Sequence, residues 1–291
     1  MLKTNGDRLP ILSVKGRISA PTASYPGKID QDGRVFVLPG TGGITYNVKI
    51  GDPACGWAAD HLEPGVSTKC PDEKENVAYN FLSCIGNEAR VISGEARGAR
   101  GFVTGKHGGI EHVILYFAQE DLEKMAVGDE IQVYSQGQGL ELTDWPEIAV
   151  RNLAPRLLER MGIREDRERG KLIVPVTHRV PAAVMGSGLG SVSTYRGDYD
   201  ITLFDAKAAE AYHLDSLRFG DIVLLEDCDT TYGRTYLSGA VTVGVVVHSD
   251  CRIMGHGPGV TTLFSCKRPQ MEGVISPGAN LASLLLQAER V

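Results

Sequence analysis

Glycine is the sequence feature that most limits the folds open to this chain. Its 35 glycines are spread along 291 residues and form no low-complexity run. Glycine is the default residue at tight turns, bulges and left-handed backbone positions, and it weakens the interior of a helix. This distribution predicts many short strands joined by tight turns, and therefore a β-rich fold rather than a helix bundle.

Length, composition and charge limit the domain count and the partners. A chain of 291 residues exceeds the usual single-domain size, and its 42% hydrophobic residues are sufficient for two cores. The formal net charge of −6 gives no overall attraction to nucleic acid or to anionic lipid. No apolar run approaches the ~20 residues that span a bilayer, and the first residues lack the apolar region of a secretory signal. We therefore expect two domains and no membrane partner.

Cysteine usage indicates a reducing compartment. The six cysteines are scattered, and no two of them form a CxxC pair. In a chain without a secretory segment such thiols are expected to be reduced, and most of them buried and inert. These features together predict a cytoplasmic protein.

Periodicity predicts the main elements. Residues 44–50 alternate apolar and polar side chains, as on a strand with one buried face, and residues 89–117 read as three strands separated by glycine-rich turns. Residues 72–82 predict a short helix that begins behind an aspartate cap. The apolar run 240–247 predicts a buried central strand. Residues 280–290 predict a closing helix with an asparagine cap.

A charged connection predicts the domain boundary. Residues 146–161 look helical, with a kink or a split at Pro155. Residues 164–171 carry charges of mixed sign, which is typical of an exposed connection. We therefore predict an N-terminal β-barrel-containing domain with a C-terminal helix over residues 1–162. A β-rich C-terminal domain over residues 163–291 follows it.

Two segments of the first half have counterparts in the second. Residues 109–116 align with residues 197–204, and the Gly-Asp turn at 128–129 aligns with the one at 220–221. The similarity fits one barrel-like unit in each half, and it fits equally well two unrelated β units with common turn chemistry. Both interpretations stay open.

Two long blocks carry a family resemblance. GTGGITYNVKIGDPACGWAADHLEPGVS at residues 40–67 and CIGNEARVISGEARGARGFVTGKHGG at residues 84–109 resemble an uncharacterised family of bacterial and archaeal proteins. This family is known from structural genomics as a domain of unknown function. The resemblance covers the whole chain and implies an N-terminal OB-like barrel followed by a separate C-terminal domain. It implies no catalytic residue.

A shorter segment resembles the KOW motif of ribosomal and transcription-elongation proteins. Residues 91–103 have the strand, glycine turn and second strand of an SH3-like barrel, and Arg90, Arg97, Arg100 and Lys106 add positive charge. The resemblance implies RNA binding in some such modules. The acidic chain argues against it here, and we interpret the segment as a barrel corner.

Three loops concentrate side chains that bind metals or transfer protons: residues 52–63, 106–112 and 248–259. In the third loop His248 ends the buried strand, Asp250 lies two residues on, and glycines let His256 fold back. Imidazoles with a carboxylate suit Zn²⁺, Fe²⁺ or Mn²⁺. His248, Asp250 and His256 are therefore the candidate metal ligands, although no HExxH or CxxC spacing supports them.

The first two loops supply the candidate catalytic residues Asp60, His61 and His107. Imidazole and carboxylate groups are the usual general acids and bases. His107 lies between a lysine and two glycines, a setting that favours exposure. The alternative for each residue is structural, because a His or Asp at a strand end often bonds a backbone amide. His112, on an alternating strand, is expected to be structural.

Two glycine-rich segments, 40–43 and 186–190, can bind an anion through backbone N–H groups. No clear helix follows the second segment, so a dinucleotide site of the Rossmann type is not expected.

The sequence leaves two hypotheses for function. The first is an enzyme, metal-free or with a divalent Zn, Fe or Mn ion, that acts on a small polar or anionic molecule in a cleft between the domains. The second is a non-catalytic barrel module of KOW or OB-like type that binds a ligand or forms a homo-oligomer. They differ geometrically: the first requires at least three of the candidate side chains within about 5 Å of one point.

Overall fold

The computed structural model describes residues 2–286. Its strands are β1 (Leu12–Ile18), β2 (Lys28–Ile29), β3 (Val35–Phe36), β4 (Ile44–Thr45), β5 (Gly65–Lys69), β6 (Glu88–Val91), β7 (Arg100–His107), β8 (His112–Phe117), β9 (Glu130–Ser135), β10 (Ala149–Val150), β11 (Arg164–Asp166), β12 (Lys171–Val176), β13 (His178–Val180), β14 (Tyr199–Asp200), β15 (Ile222–Asp229), β16 (Thr235–His248), β17 (Gly259–Cys266) and β18 (Met271–Ile275). Its helices are α1 (Glu73–Leu82), α2 (Gln119–Leu122), α3 (Pro155–Arg160) and α4 (Ala206–Ala211), with 3₁₀ turns at Gly6–Arg8, Ala182–Val184 and Leu214–Ser216 and a π-helical turn at Ala282–Leu286.

Six strands of the first half close into an antiparallel barrel. Their order is β1-β9-β6-β7-β8-β5, β1 pairs with β5 to complete the circle, and β4 extends the edge beside β5. Closure leaves none of the six strands as a free edge, and it buries one face of each. The predicted mainly-β fold with an N-terminal barrel is confirmed; the assignment to the OB or SH3-like type stays a prediction.

The second half is an open sheet rather than a second barrel. Its order is β10-β17-β16-β15-β13, with β14 pairing with β17, and a separate three-stranded sheet contains β11, β12 and β18. The long strand β16 is buried from Ala240 to His248, which confirms the predicted central strand. The segment that aligns with β8 forms only the two-residue β14, so the second half does not repeat the barrel.

A glycine brings the two halves into contact. A Cβ atom at Gly105 of β7 would lie 2.7 Å from Val247 of β16, so only a residue without a side chain permits this approach. Next to it, Thr261 Oγ1 of β17 donates to the carbonyl of Lys106 at 3.0 Å. One hydrophobic core therefore contains residues of both halves. The packing also places the ends of β7 and β16 side by side.

Several predicted elements are confirmed. Helix α1 begins behind Asp72, whose Oδ1 accepts hydrogen bonds from the backbone N–H groups of Lys74 and Glu75. Strands β6, β7 and β8 occupy the segment predicted as three strands. Of the predicted closing helix, Asn280 Oδ1 accepts from the N–H of Ala282 and the helical turn runs to Leu286. Residues 287–290 of that prediction lie outside the described residues.

The strand predicted at residues 44–50 is wrong beyond β4. The backbone then turns toward the second half, and Gly51 N donates to the carbonyl of Phe219 at 2.8 Å. Val48 and Ile50 are buried, but in different clusters of apolar side chains. The alternation that predicted one buried strand face therefore comes from a loop that packs against two cores.

The connection between the halves is more ordered than predicted. Only the second part of residues 146–161 is helical: α3 begins at Pro155, where a proline is well tolerated, and β10 precedes it. The charged segment 164–171 is a hairpin of β11 and β12 rather than a linker. Its mixed charges pair with each other and with the neighbouring strand, as in the ion pair of Arg169 with Glu272. Between residues 2 and 286, no helix is both long enough and apolar enough to cross a bilayer.

Candidate metal centre

Four histidines and two aspartates meet between the barrel and the open sheet. His107 is the last residue of β7, His248 is the last residue of β16, and their rings stack with centroids 4.1 Å apart. The His61 ring lies 5.1 Å from that of His248 and 5.0 Å from that of His256. The aspartates flank Tyr199, which places their side chains on one side of β14.

Three groups of side chains in this region could hold a metal ion, because the ligand atoms within each group lie within 4.8 Å of one another. The groups are His107 with Asp198 and His248, His61 with Asp200 and His256, and Asp60 with His61 and Cys251. Asp200 links the first two groups, because its Oδ1 lies 3.4 Å from His248 Nε2 and its Oδ2 lies 3.1 Å from His256 Nδ1. The donors therefore form one continuous cluster.

His61 is held by the residue before it. Its backbone is left-handed, with φ of 57°, and its Nδ1 lies 2.7 Å from Oδ1 of Asp60. Asp60 also accepts from Lys28 Nζ at 2.8 Å and from Cys251 Sγ at 3.0 Å. Burial opposes the charge on His61, but the carboxylates of Asp200 and Asp60 outweigh it and raise the pKa of His61 to about 12. The His61 Nε2 atom faces the cluster, 3.0 Å from His256 Nδ1.

His107 is held by a buried carboxylate with a full set of partners. Its Nδ1 lies 2.7 Å from Glu63 Oε1, and Glu63 also contacts His112 Nδ1 at 2.9 Å. The backbone N–H of Gly42 and the hydroxyl of Ser67 donate to the other Glu63 oxygen. Burial would raise the pKa of Glu63, but the two histidines hold it well below its usual value. Burial and the charge of the neighbouring imidazole at position 248 lower the pKa of His107, so its Nε2 carries a lone pair.

His248 and Asp198 have the contact that best defines the centre. His248 Nδ1 donates to the backbone carbonyl of Ser249 at 2.9 Å, which leaves Nε2 as its inner nitrogen. That atom lies 2.6 Å from Asp198 Oδ2 and 3.4 Å from Asp200 Oδ1, without the alignment of a regular hydrogen bond to either. Burial opposes the charge on His248, but the carboxylates of Asp198 and Asp200 outweigh it and raise its pKa to about 10.

A glycine leaves this contact clear. A Cβ atom at Gly259 of β17 would lie 1.9 Å from Asp198 Oδ2 and 2.1 Å from His248 Nε2. Any larger residue would therefore occupy the place where these two buried atoms meet. The contact between His248 and Asp198 therefore requires glycine at position 259.

A cavity of about 230 Å³ opens beside the cluster. His61, His107, His256 and Asp200 line its inner side, and Ser187 and Gly188 of the predicted anion-binding segment line another. Two arginines, Arg196 and Arg234, and two further carboxylates, Glu111 and Asp198, also line the cavity. The His256 side chain is 33% exposed, so solvent reaches the cluster from here. A larger cavity of about 440 Å³ lies on the barrel, but its lining holds no histidine and a single carboxylate, Glu88, which pairs with Arg156.

Comparison with other proteins assigns this architecture to a family. The model described as "Domain of unknown function (DUF4438), N-terminal" matches residues 27–159, and the one described as "Domain of unknown function (DUF4438), C-terminal" matches residues 160–285. The chain belongs to the DUF4438 family. A solved structure described as "Crystal structure of TM1086" is similar to it, with 46% identity and a TM-score of 0.92. The match covers 97% of this chain and 98% of that chain. No curated protein matches the chain.

These matches confirm the resemblance to a family of unknown function. In this member of the DUF4438 family the structure brings together five of the six residues proposed from the sequence: Asp60, His61, His107, His248 and His256. Asp250 lies elsewhere, because the chain turns after β16 and its Oδ2 accepts from the N–H of Gly56. At least three of the candidates thus lie within the distance that the enzyme hypothesis required.

Sequence reasoning missed Asp198, Asp200 and the role of Glu63. The two aspartates alternate on either side of a tyrosine, a spacing that puts both on one face of a strand, and this signal was available. The glycine-rich segment 40–43 does bind an anion, but that anion is the carboxylate of Glu63. The six cysteines are free thiols, and four of them are buried.

Proposed function

We propose that the protein is a metal-dependent enzyme that acts on a small polar molecule in the cavity beside the histidine cluster. At least one divalent transition-metal cation binds among His61, His107 and His248, with Asp198 and Asp200 as the carboxylate ligands. One observation supports this proposal most directly. Two buried atoms, His248 Nε2 and Asp198 Oδ2, lie 2.6 Å apart, and the carboxylate holds a proton on the imidazole in the metal-free protein. A divalent cation that displaces this proton would gain a buried imidazole and a buried carboxylate as ligands at once.

The outer contacts of the histidines support the same assignment. Histidines that bind metals usually donate their other ring N–H to a carboxylate or a backbone carbonyl, which fixes the ring and its tautomer. All three inner histidines have this arrangement, with Asp60, Glu63 and the Ser249 carbonyl as the acceptors. Imidazole with carboxylate suits Zn²⁺, Fe²⁺ or Mn²⁺, and the donor set contains no CxxC pair that would favour a purely structural zinc site.

Access to the cluster favours catalysis over a structural role. Structural metal sites are closed, whereas catalytic ones keep a position open to water or substrate. Here a cavity reaches His61, His107 and His256. A bound divalent cation polarises a substrate oxygen and lowers the pKa of bound water. His256 is partly exposed and contacts Asp200 at 3.1 Å, which suits a residue that moves a proton between the cluster and the cavity.

Metal content is the test of this proposal. The untagged wild type is compared by elemental mass spectrometry with a His61→Ala/His248→Ala double variant, before and after incubation with Zn²⁺, Fe²⁺ or Mn²⁺. We expect one or more equivalents of metal in the wild type and less than about one tenth of that in the variant, because two of three imidazole ligands are lost. A wild type that retains none of the three metals, even after incubation, would contradict the proposal.

His213→Asn is the matched control. His213 is exposed, lies outside the cluster, and has a left-handed backbone with φ of 55° that asparagine tolerates. Its metal content should equal that of the wild type. Thermal unfolding of all three proteins separates loss of metal from loss of fold. A screen of hydrolase and lyase substrates, with and without a chelator, then tests whether the bound metal supports turnover.

A further inference from the structure

Arg234 is a buried cation that forms no ion pair with any residue between 2 and 286. Only 4% of the residue is exposed, and it precedes β16 on the wall of the cavity. Its guanidinium donates one hydrogen bond, to the backbone carbonyl of Arg196 at 3.1 Å, while its Nε has no partner. Burial lowers the pKa of Arg234, against the charges of Asp198 and Asp200, which lie beyond ion-pair distance. A buried guanidinium without an anionic partner is strongly unfavourable.

The nearest carboxylates are already committed to other groups. Asp198 Oδ1 accepts from the backbone N–H of Gly108 at 2.7 Å, and its Oδ2 faces His248. Both oxygens of Asp200 face histidines. The charge of Arg234 is therefore not used in binding these side chains directly.

The backbone holds Arg234 at the cavity. Its N–H donates to the carbonyl of Ser191 at 2.9 Å, and its carbonyl accepts from the N–H of Gly190 at 2.7 Å. Gly190 ends the glycine-rich segment 186–190 and Ser191 follows it, and Ser187 and Gly188 of that segment line the same cavity. Arginine presents a planar fork of donors that matches an oxyanion better than the ammonium of lysine does.

We propose that Arg234 is the anion-binding residue of the cavity, and that the molecule bound there carries a carboxylate or a phosphate group. This inference rests on the proposed function in one respect: the metal site determines which part of that molecule reacts. Arg234 and the histidine cluster line one cavity of about 230 Å³. Its volume is below the roughly 300–1,000 Å³ of drug-sized pockets, which limits the ligand to a small metabolite-sized anion. An oxyanion held by Arg234 would direct the rest of such a molecule toward His61 and His256.

Anion binding by metal-free protein tests this assignment without interference from the metal. The chelator-treated wild type is titrated separately with inorganic phosphate and with acetate, against matched sodium chloride, and binding is measured by calorimetry and thermal unfolding. We expect at least one oxyanion to bind, and Arg234→Gln to weaken its affinity about tenfold or more, since a charge-assisted hydrogen bond is lost. Tighter binding of phosphate would indicate a ligand with a phosphate group, and tighter binding of acetate would indicate a carboxylate.

Arg179→Gln is the matched control, because Arg179 is exposed, pairs with Glu226 and does not line the cavity. It should bind the oxyanion as the wild type does. Arg234→Gln should also keep the wild-type metal content, so a failure of this inference is distinguishable from a failure of the metal proposal. Equal affinity in Arg234→Gln and the wild type would overturn the assignment, as would a wild type that binds neither anion. If the buried substitution prevents folding, a crystal structure of the wild type with phosphate or acetate decides. An oxyanion bound to the Arg234 guanidinium supports the assignment, and its absence there overturns it.

Discussion

The two halves of the molecule contribute different parts of the centre. The barrel half supplies His61 and His107, and each is held by a buried carboxylate of the same half, Asp60 or Glu63. The open-sheet half supplies both carboxylate ligands, and its His248 is held by the backbone carbonyl of the next residue. The barrel half thus provides positioned imidazoles, and the sheet half provides negative charge that faces inward.

With the proposed metal site, this difference predicts which half gains more from a bound cation. The Glu63 carboxylate accepts hydrogen bonds from a full set of partners, so the barrel half is close to electrostatically complete. Asp198 Oδ2 in the sheet half has no aligned donor. The cluster exists only because Gly105 of β7 lets the barrel pack closely on β16. Neither half alone has both the ligands and the charge that a metal site needs.

The largest effect we expect is on the pH dependence of metal affinity, because metal binding releases one proton from a histidine of each half. In the metal-free protein His61, with a pKa of about 12, and His248, with a pKa of about 10, are both protonated at neutral pH. A cation needs the Nε2 lone pair of His61 and the Nε2 lone pair of His248. Its binding therefore displaces one proton from each histidine, and its affinity rises with pH. We expect a gain of about 10⁴-fold between pH 6 and pH 8, since each of the two protons released gives about tenfold per pH unit.

Competition with a chelating indicator at several pH values measures this dependence. The rise should continue above about pH 7, where a histidine with an ordinary pKa near 6.5 would no longer contribute. The exposed-site variant His213→Asn should follow the wild-type curve. An affinity that levels off above pH 7 would mean that neither half holds a proton in the metal's place.

Glu63→Gln should show how much a carboxylate that accepts the Nδ1 proton of His107 contributes to metal affinity, compared with the backbone carbonyl that accepts from His248. The substitution keeps the size of the side chain but removes the charge that accepts the Nδ1 proton of His107. Loss of such an outer partner typically weakens metal binding about 10- to 100-fold. Metal affinity and thermal unfolding are measured together, because Glu63 also ties Gly42 and Ser67 to the barrel.

Glu165→Gln is the control, since this carboxylate pairs with Arg167 at the surface of the β11–β12 hairpin. It should bind metal as the wild type does. Unchanged affinity in Glu63→Gln would show that His107 is not a ligand, and that the barrel half contributes through His61 alone.

The fold was predictable where the apolar residues of a segment are buried in a single core. The buried run of β16 and the capped helix α1 follow from local apolar patterning and capping chemistry, and both are as predicted. Residues 44–50 alternate for two unrelated reasons, because Val48 and Ile50 pack in different clusters. Sequence periodicity reports only that a side chain is buried, not which core receives it.

The site was predictable where ligand-type residues are dense in a loop. His61, His107 and His248 stood out for that reason, and the structure brings them together. Asp198 and Asp200 did not, because two aspartates in a polar loop are ordinary until a strand aligns them. The choice of Asp250 assumed that the chain stays extended after His248. It turns instead, and this carboxylate meets the N–H of Gly56.

His256→Ala should give the smallest change in metal binding. It compares His256 with His248, the other histidine that the sheet half contributes. His256 lies on a loop and is 33% exposed, whereas the His248 side chain is fully buried at the end of β16. A partly exposed imidazole at the cavity suits proton transfer better than ligation, so metal affinity should fall by less than about tenfold while any turnover falls about 10²- to 10⁴-fold. Metal titration and kcat/KM on the same samples, with His213→Asn as control, measure both. A loss of metal as large as in His248→Ala would instead make His256 a ligand, and the cavity would then need another residue to move the proton.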